Sequence, residues 1–161
     1  MNLVKNIDKN YMKSLKQDSI NALSEFIIAN ADGKNIAGNG IDFVYETDYV
    51  KVTHDFVDGI YIRRMDMAKG CLVVGGVHKH LHVWFLLKGH VTISSNDSVE
   101  DYEAPCIVKA KPGTQRIILA NEESIFVNVH KNPLEHRNIN DIEKEFVSIN
   151  MDEYNKYKKE L

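Results

Sequence analysis

The chain has 161 residues, of which 43% are hydrophobic and 27% charged, and its formal net charge is −3 at pH 7. This length and composition are typical of one soluble globular domain that buries its own core. A slightly acidic chain has no overall basic surface for a nucleic-acid polymer, so any anion would have to bind in a local pocket.

The N-terminal segment predicts a helical arm. Asp18 and Ser19 are suited to cap a helix. The apolar residues that follow fall on one helical face: Ile20, Leu23, Phe26 and Ile27. Three glycines then interrupt the chain in "ADGKNIAGNG", so residues 1–40 read as an arm and a linker.

The N-terminus contains no apolar stretch long enough for a secretory signal or a spanning helix. The two cysteines, Cys71 and Cys106, match no zinc spacing and are expected to pack as small hydrophobic residues. We therefore expect a cytoplasmic protein in a reducing environment, without a membrane partner.

Short segments bounded by turn residues predict β-strands between Phe43 and Val129. The candidates are 48–53, 59–66, 71–77, 81–87, 90–95, 105–109, 115–119 and 124–130. No helical pattern separates them, so they favour an all-β sandwich or barrel over residues 41–132. Beyond Pro133 the pattern is helical again, so residues 133–161 form a predicted helical tail. "NINDIEKEFVSI" supplies an Asn or Asp cap, then Ile142, Phe146 and Val147 on one face, and "NMDEYNKYKKEL" follows as a second helix.

The stretch "HKHLH" places three histidines at positions 78, 80 and 82. In a strand, their side chains share one face, and adjacent members lie ~7 Å apart at Cα, close enough to chelate one metal ion. His78 and His82 would be ~13 Å apart in a straight strand, so both bind one ion only if the chain turns between them. Imidazole binds metals and anions alike, and both uses stay open.

Other polar residues lie in or beside apolar strands. Tyr61 and Arg63 share one face of "GIYIRRMD", Arg116 precedes the apolar run "IILA", and His130 ends "SIFVNVH". A buried arginine is costly unless it is paired, so an inward Arg63 or Arg116 would need a carboxylate or an anionic ligand.

From His54 to His130 the chain resembles the cupin superfamily of small β-barrels. The first cupin motif has two histidines, a glutamate and a glycine seven residues later, and here Gly89 lies seven residues after His82, which stands in the place of the glutamate. The second motif, proline-x-glycine-x-x-histidine, resembles "KPGTQR", in which Lys111 replaces the proline and Arg116 replaces the metal-binding histidine.

The resemblance is closest to small cupin-like proteins of tailed bacteriophages. It rests on "THDFVDGIYIRR", "AKG", "HKHLH", "KGHV", "PGTQR" and "NVH", with "HL" at positions 80–81 where that group has "TE". It implies a single cupin-type β-barrel, or jelly roll, with an N-terminal helical arm and C-terminal helices. The residues carried over are His54, Gly59, Tyr61, Arg63, His78, Lys79, His82, Gly89, Gly113, Arg116 and His130.

These residues predict an electropositive, partly aromatic pocket, in which arginine suits phosphate or carboxylate and aromatic rings suit a base or a sugar. The expected ligand is a small anion such as a nucleotide or a sugar phosphate. The predicted contacts are Tyr61, Arg63, His78, Lys79, His82, Trp84 and Arg116. By analogy with a phage gene, the protein would sequester a nucleotide immune signal in the host cytoplasm.

Two alternatives remain open. In the first, His78, His80, His82 and His130 hold a divalent transition metal (zinc, iron, manganese or nickel) in a hydrolase, isomerase or oxygenase. In the second, the barrel is a structural virion or interaction module. Edge strands need covering, so we also expect a homodimer in which the N-terminal helix and "YETDYVKV" supply the contact.

Overall fold

The computed structural model describes residues 9–14, 17–29, 44–96 and 98–161. The elements in chain order are α1 (Lys9–Ser14), α2 (Gln17–Ala29), β1 (Val44–Glu46), β2 (Val50–Val57), β3 (Ile60–Met67), β4 (Leu72–Val74), β5 (Val77–His78), β6 (His82–Lys88), β7 (His90–Ser95), β8 (Ser98–Glu103), β9 (Cys106–Ala110), β10 (Ile117–Ala120), β11 (Ser124–Lys131), α3 (Ile139–Phe146), β12 (Val147–Ser148) and α4 (Met151–Lys159).

Two antiparallel sheets form the body of the molecule. The six-stranded sheet has the order β1-β2-β3-β11-β6-β9, and the four-stranded sheet has the order β4-β10-β7-β8. Alternating side chains from both sheets meet in a shared core around Trp84, Leu86, Ile93, Ile118 and Phe126. The mainly β prediction, with helices towards the two ends of the chain, is confirmed.

The N-terminal helices cover the outer face of the four-stranded sheet. Met12 and Ile20 are fully buried and pack against Ile117 and Leu119 of β10. Helix α2 begins at Gln17, so Asp18 and Ser19 lie in its first turn and do not cap it, contrary to the sequence prediction. Phe26 remains 42% exposed, so α2 buries fewer of its apolar side chains than the sequence pattern indicates. None of the described helices is long and apolar enough to cross a membrane.

Several strands differ from their predicted bounds. The predicted strand 71–77 is divided into β4 and β5 at Gly75 and Gly76. A Cβ at Gly76 would lie 2.8 Å from the carbonyl oxygen of Ser148, so this glycine lets β12 approach and pair with β5. Strands β8 and β12 were not predicted, whereas β1 overlaps the start of the segment "YETDYVKV". The edge strand β8 has the largely polar sequence "SVEDYE", so a search for alternating apolar residues does not detect it.

Both C-terminal helices have asparagine caps, and the cap of α3 was predicted. The Asn138 side chain accepts a hydrogen bond from the backbone N–H of Asn140, and the Asn150 side chain accepts one from that of Glu153. Val147 lies in β12 and not on the helix, because α3 ends at Phe146 and its C-cap has extended geometry. The linker and the 40/41 boundary fall outside the described residues, so the three-part division of the chain stays a prediction.

The tight connection between β6 and β7 depends on Gly89. Its φ of +85° lies in the left-handed region, and a Cβ there would collide with Ser124 and with the carbonyl oxygen of Glu123. The glycine of the sequence motif is therefore required by the backbone at this turn.

Replacing Ile20 by alanine should remove a fully buried side chain between α2 and β10. We expect the free energy of unfolding in urea to fall by about 2–4 kcal/mol, whereas Glu25→Ala, an exposed change in the same helix, should change it by less than about 0.5 kcal/mol. Equal losses for both variants would show that α2 does not dock on the sheet.

Candidate functional site

The chain turns within "HKHLH", as a shared site requires. Strand β5 ends at His78 and β6 begins at His82, so the two histidines lie on either side of a short turn. Their ring centroids are 4.1 Å apart. His130, from the neighbouring strand β11, lies 5.3 Å from His78 and 4.5 Å from His82 by the same measure. The three histidines, hereafter the histidine cluster, therefore stack at one end of the barrel interior.

The histidine cluster has the donor set of a metal site. Each residue offers one ring nitrogen, and these nitrogens lie within 4.8 Å of one another. Three imidazoles at this separation suit a divalent transition metal with an open coordination position.

Arg116 occupies the centre of the same cluster. Its Nη2, which carries two hydrogens, lies 2.9 Å from Nε2 of His82, 3.1 Å from Nε2 of His78 and 3.3 Å from Oδ1 of Asn128, so the two histidines are its nearest acceptors and Asn128 shares one of the N–H groups. Arginine can only donate, so both Nε2 atoms are acceptors and each ring, when neutral, carries its proton on Nδ1. For His82 this agrees with a second contact, in which Nδ1 lies 3.2 Å from the carbonyl oxygen of His80.

These hydrogen bonds decide how a metal would fit. With Arg116 in place, the Nε2 lone pairs of His78 and His82 are engaged and their Nδ1 atoms are protonated, so neither ring has a lone pair free for a metal. The guanidinium also places a positive charge directly beside two of the three histidines that would have to bind a metal ion. The residues therefore fit a metal only if the Arg116 side chain moves away.

Burial holds the histidines neutral. Burial, followed by the charge of Arg116, lowers the pKa of His82 to about 4. Burial, followed by the neighbouring His82 and Arg116, lowers the pKa of His130 to about 3. Burial, followed by the same arginine, places the pKa of His78 well below its usual value. Burial also lowers the pKa of Arg116 to about 10, so the guanidinium is still charged at neutral pH.

A second aromatic group closes the cluster on the side of the C-terminal helices. Phe146 of α3 stacks on His130 at 5.1 Å and on Tyr61 at 5.9 Å between ring centroids. The Tyr61 hydroxyl and Nδ1 of His54 are hydrogen-bonded at 2.7 Å. Burial raises the pKa of Tyr61, and burial followed by the charge of Arg63 lowers the pKa of His54 to about 4. This end of the barrel is therefore closed and largely apolar.

Four buried nitrogen atoms in this region have no hydrogen-bond partner among the described residues. They are Nε2 of His54, Nδ1 of His78, Nδ1 of His130 and Nη1 of Arg116. Buried polar atoms are seldom left unpaired, and a group of them indicates a missing water, ion or ligand. Two of the four, Nη1 of Arg116 and Nδ1 of neutral His78, are donors, which favours a species that accepts hydrogen bonds.

A cavity of about 340 Å³ opens on the other side of Arg116. It lies between the two sheets, and the residues that line it are Trp84, Ile93, Ser95, Asn96, Tyr102, Val108, Lys109, Ala110, Lys111, Pro112, Thr114 and Arg116. Lys111 and Arg116 carry a positive charge, and none of the described residues lining it is acidic. The Lys109 side chain alternates with Val108 and lies on the outer face of the sheet, as Ile107 does. The cavity volume is within the range of small-molecule sites.

The structure divides the predicted site residues into two groups. It brings His78, His82, His130 and Arg116 together, and it places Arg116 and Trp84 on the cavity. Tyr61 contacts the cluster from the closed side, and Nη1 of Arg63 lies 2.9 Å from the Met65 sulfur, so neither residue lines the cavity.

Lys79 and His80 point to the C-terminal helices instead of the pocket. The Lys79 ammonium donates to the carbonyl oxygen of Lys144 at 2.6 Å and lies over the Tyr157 ring. His80 Nε2 lies 3.1 Å from the carbonyl oxygen of Glu145 and 3.6 Å from its carboxylate. The turn that joins His78 to His82 directs the side chains of Lys79, His80 and Leu81 away from the cluster, which separates His80 from the predicted metal set.

Sequence reasoning missed Asn128 and most of the cavity lining. Asn128 alternates with His130 and Phe126 in "SIFVNVH", and that alternation places it on the inner face. Tyr102, Val108 and Thr114 come from the unpredicted strand β8, from the edge strand β9 and from the loop before β10. Their convergence depends on how distant strands pair, so no local pattern indicates it.

The barrel is similar to solved structures of low sequence identity. Ectoine synthase from P. lautus matches with a TM-score of 0.52 and 11% identity over 64% of this chain and 76% of that one. A variant oxalate decarboxylase from Bacillus subtilis matches with a TM-score of 0.51 and 13% identity over 58% of this chain but 28% of that one. An RmlC-like cupin from Shewanella frigidimarina matches with a TM-score of 0.47 and 14% identity over 62% of this chain and 87% of that one.

No protein-family model and no curated protein matches the chain by sequence. The two facing antiparallel sheets, together with the two neighbours whose TM-scores exceed 0.5, show the predicted cupin-type β-barrel architecture. At such low identity, the likeness concerns the fold alone. The cupin barrel of this chain carries a histidine cluster that could bind a metal.

The buried neutral histidines should make the protein unstable towards acid. Below pH 6.5 the unfolded chain protonates histidines that the folded protein keeps neutral, so stability is lost as the pH falls from about 6.5 towards 4. Each such histidine contributes up to about 1.4 kcal/mol per pH unit. Urea unfolding at pH 7, 6 and 5 should therefore show a falling free energy of unfolding, and a value that is constant or rises on acidification would contradict this.

Proposed function

We propose that this protein binds a small anionic molecule in the 340 Å³ cavity, with Arg116 as its main contact. The observation that carries the proposal is a buried charge without a counter-charge. Arg116 is only 5% exposed, and its hydrogen-bond acceptors are two neutral histidines and an amide. None of the described carboxylates forms a salt bridge with it. A buried charge left without a counter-charge is strongly unfavourable, so an anionic ligand would compensate it.

The surroundings of Arg116 support an anion. Lys111 adds positive charge to the cavity lining, and Ser95, Asn96 and Thr114 add neutral hydrogen-bonding groups. Arginine binds phosphate and carboxylate oxygens through charge-assisted hydrogen bonds. The histidines play a positioning role in this proposal, because they hold Nη2 and thereby fix the direction of the guanidinium.

The polar lining favours a sugar phosphate or a comparable hydroxylated anion over a nucleotide. A base would need a free aromatic face on which to stack. Trp84 already stacks on Phe126 at 4.8 Å, and its ring meets Tyr102 edge to face at 4.9 Å. The hydroxyl and amide groups of Ser95, Asn96 and Thr114 suit the hydroxyls of a sugar instead.

A second candidate is a metal-dependent enzyme, and the histidine cluster is the observation that favours it. His78, His82 and His130 would hold the ion, which would supply Lewis-acid chemistry to a substrate in the barrel. This candidate requires Arg116 to leave the two Nε2 atoms. His80 would not take part, because its ring is held by the C-terminal helix α3.

The finer expectations from the phage resemblance remain proposals. Capture of a host nucleotide signal in the cytoplasm would use the same cavity, with the ligand bound and not converted. A structural virion module would need no ligand, and substitutions that line the cavity would then leave its assembly unchanged.

Arg116→Gln should weaken ligand binding while keeping some hydrogen bonding to the histidines. In a thermal-shift screen of sugar phosphates, nucleotides, inorganic phosphate and divalent metals, we expect sugar phosphates to raise the melting temperature of the wild type, because a ligand stabilises the state that it binds. In Arg116→Gln the affinity should fall at least tenfold, which corresponds to about 1.4 kcal/mol.

The matched control is Arg64→Gln, which removes an exposed arginine that is paired with Asp66 on the outer face of the sheet. It should bind the same ligand as well as the wild type does. Stabilisation by a divalent metal, lost after dialysis against a chelator and without any response to anions, would instead support the metal-dependent candidate. No response to any ligand would contradict both.

A further inference from the structure

The outer face of the six-stranded sheet is apolar across several strands. It carries Val83, Phe85 and Leu87 from β6, Ile107 from β9, Ile125, Val127 and Val129 from β11, and Ile60 and Ile62 from β3. Ile107 is 68% exposed and Leu87 is 55% exposed. Strands that are apolar on both faces are typical of sheets that are covered on both sides.

The strand register gathers these side chains into adjacent rows. Phe85 of β6 is paired with Ile107 of β9 on one side and with Val127 of β11 on the other. In the next row, Val83 pairs with Val129 of β11, which in turn pairs with Ile62 of β3. Directly opposite residues lie on the same face of a sheet, so the rows form one continuous surface, which we call the outer apolar face.

No described helix packs on the outer apolar face. Helices α1 and α2 lie on the four-stranded sheet, and α3 and α4 lie at the end of the barrel beside β12. The segment 30–43, which lies outside the described residues, has Ile36, Ile41 and Phe43 as its large apolar residues, together with three glycines. Three large apolar side chains are few to cover a surface that extends over four strands.

We propose that a second copy of this chain covers the outer apolar face. The charges at its ends are self-complementary. The row that contains Val83 begins with Lys109 on β9 and ends with Asp55 on β2. A twofold axis that runs along β11 places β9 of one copy over β2 of the other, so each Lys109 meets the Asp55 of its partner. The same operation places Phe85 over Arg64, a favourable pairing of a cation with an aromatic ring.

The size of the face suits such an interface. Five strands from β9 to β2 span about 19 Å, and six residues along a strand span about 20 Å. This area is at the level of the few hundred Å² above which exposed apolar patches indicate interaction sites. The apolar face alone is about half of the roughly 800 Å² that each partner buries in a standard interface, and the bordering charged residues Lys51, Lys131, Arg64 and Asp66 add to the area that a partner copy would cover. The inference is independent of the ligand cavity.

The test is sedimentation-velocity ultracentrifugation of the full chain over a dilution series. The wild type should be a dimer, and Ile107→Asp should raise the dimer dissociation constant at least tenfold. The matched control is Leu134→Asp, because Leu134 is 66% exposed but lies outside the face, and this variant should leave the constant unchanged. Circular dichroism and thermal unfolding check that each variant is folded.

A charge-reversal cycle keeps the proposal testable if Ile107→Asp does not fold. Lys109→Asp and Asp55→Lys should each weaken the dimer, and the double variant should recover most of the loss. A monomeric wild type would overturn the proposal, as would a dimer that persists in all face variants. If the wild type is monomeric and hydrogen exchange shows that the outer apolar face is protected, residues 30–43 cover the face. If the dimer persists in all face variants, the dimer contact lies on another surface.

Discussion

The contact between the Arg116 guanidinium and two histidine rings organises the interior of this protein. One nitrogen atom, Nη2, donates to His78 and His82, and this arrangement fixes where both imidazoles carry their protons. The rings can serve as acceptors because burial keeps them neutral, and the guanidinium remains charged because its pKa is lowered only to about 10. The cation beside the three stacked histidines is thus a side chain of the protein itself, the Arg116 guanidinium.

This contact separates two regions of the barrel interior. On one side, His130, Tyr61 and Phe146 form a closed aromatic group beneath α3. On the other side, the same guanidinium lines a cavity with Lys111 and neutral polar groups. The short pairing of β5 with β12 supports the division, because it connects the strand that bears His78 to the segment that follows Phe146. Arg116 therefore contacts the histidine cluster and also lines the cavity.

The sequence was sufficient for the architecture and for part of the site. Alternating apolar segments predicted most strands, and the turn within "HKHLH" was one of the two geometries that the histidine spacing allowed. Lys79 and His80 were assigned to the pocket because they lie between its histidines, but a turn directs its central side chains outward. Tyr102 and Val108 reach the cavity through the pairing of distant strands, and Asn128 was hidden in an apolar strand. Such long-range proximity depends on tertiary structure, which local patterns do not encode.

The most direct test of this account is elemental mass spectrometry on protein purified without an affinity tag, for the wild type and for Arg116→His. If the guanidinium engages the lone pairs that a metal would need, the wild type should contain far less than one equivalent of a transition metal. The variant, which removes that charge and adds a fourth imidazole, should take up close to one equivalent. A wild type that carries one equivalent of metal, and loses it in His78→Ala and His82→Ala, would contradict the central role assigned to Arg116.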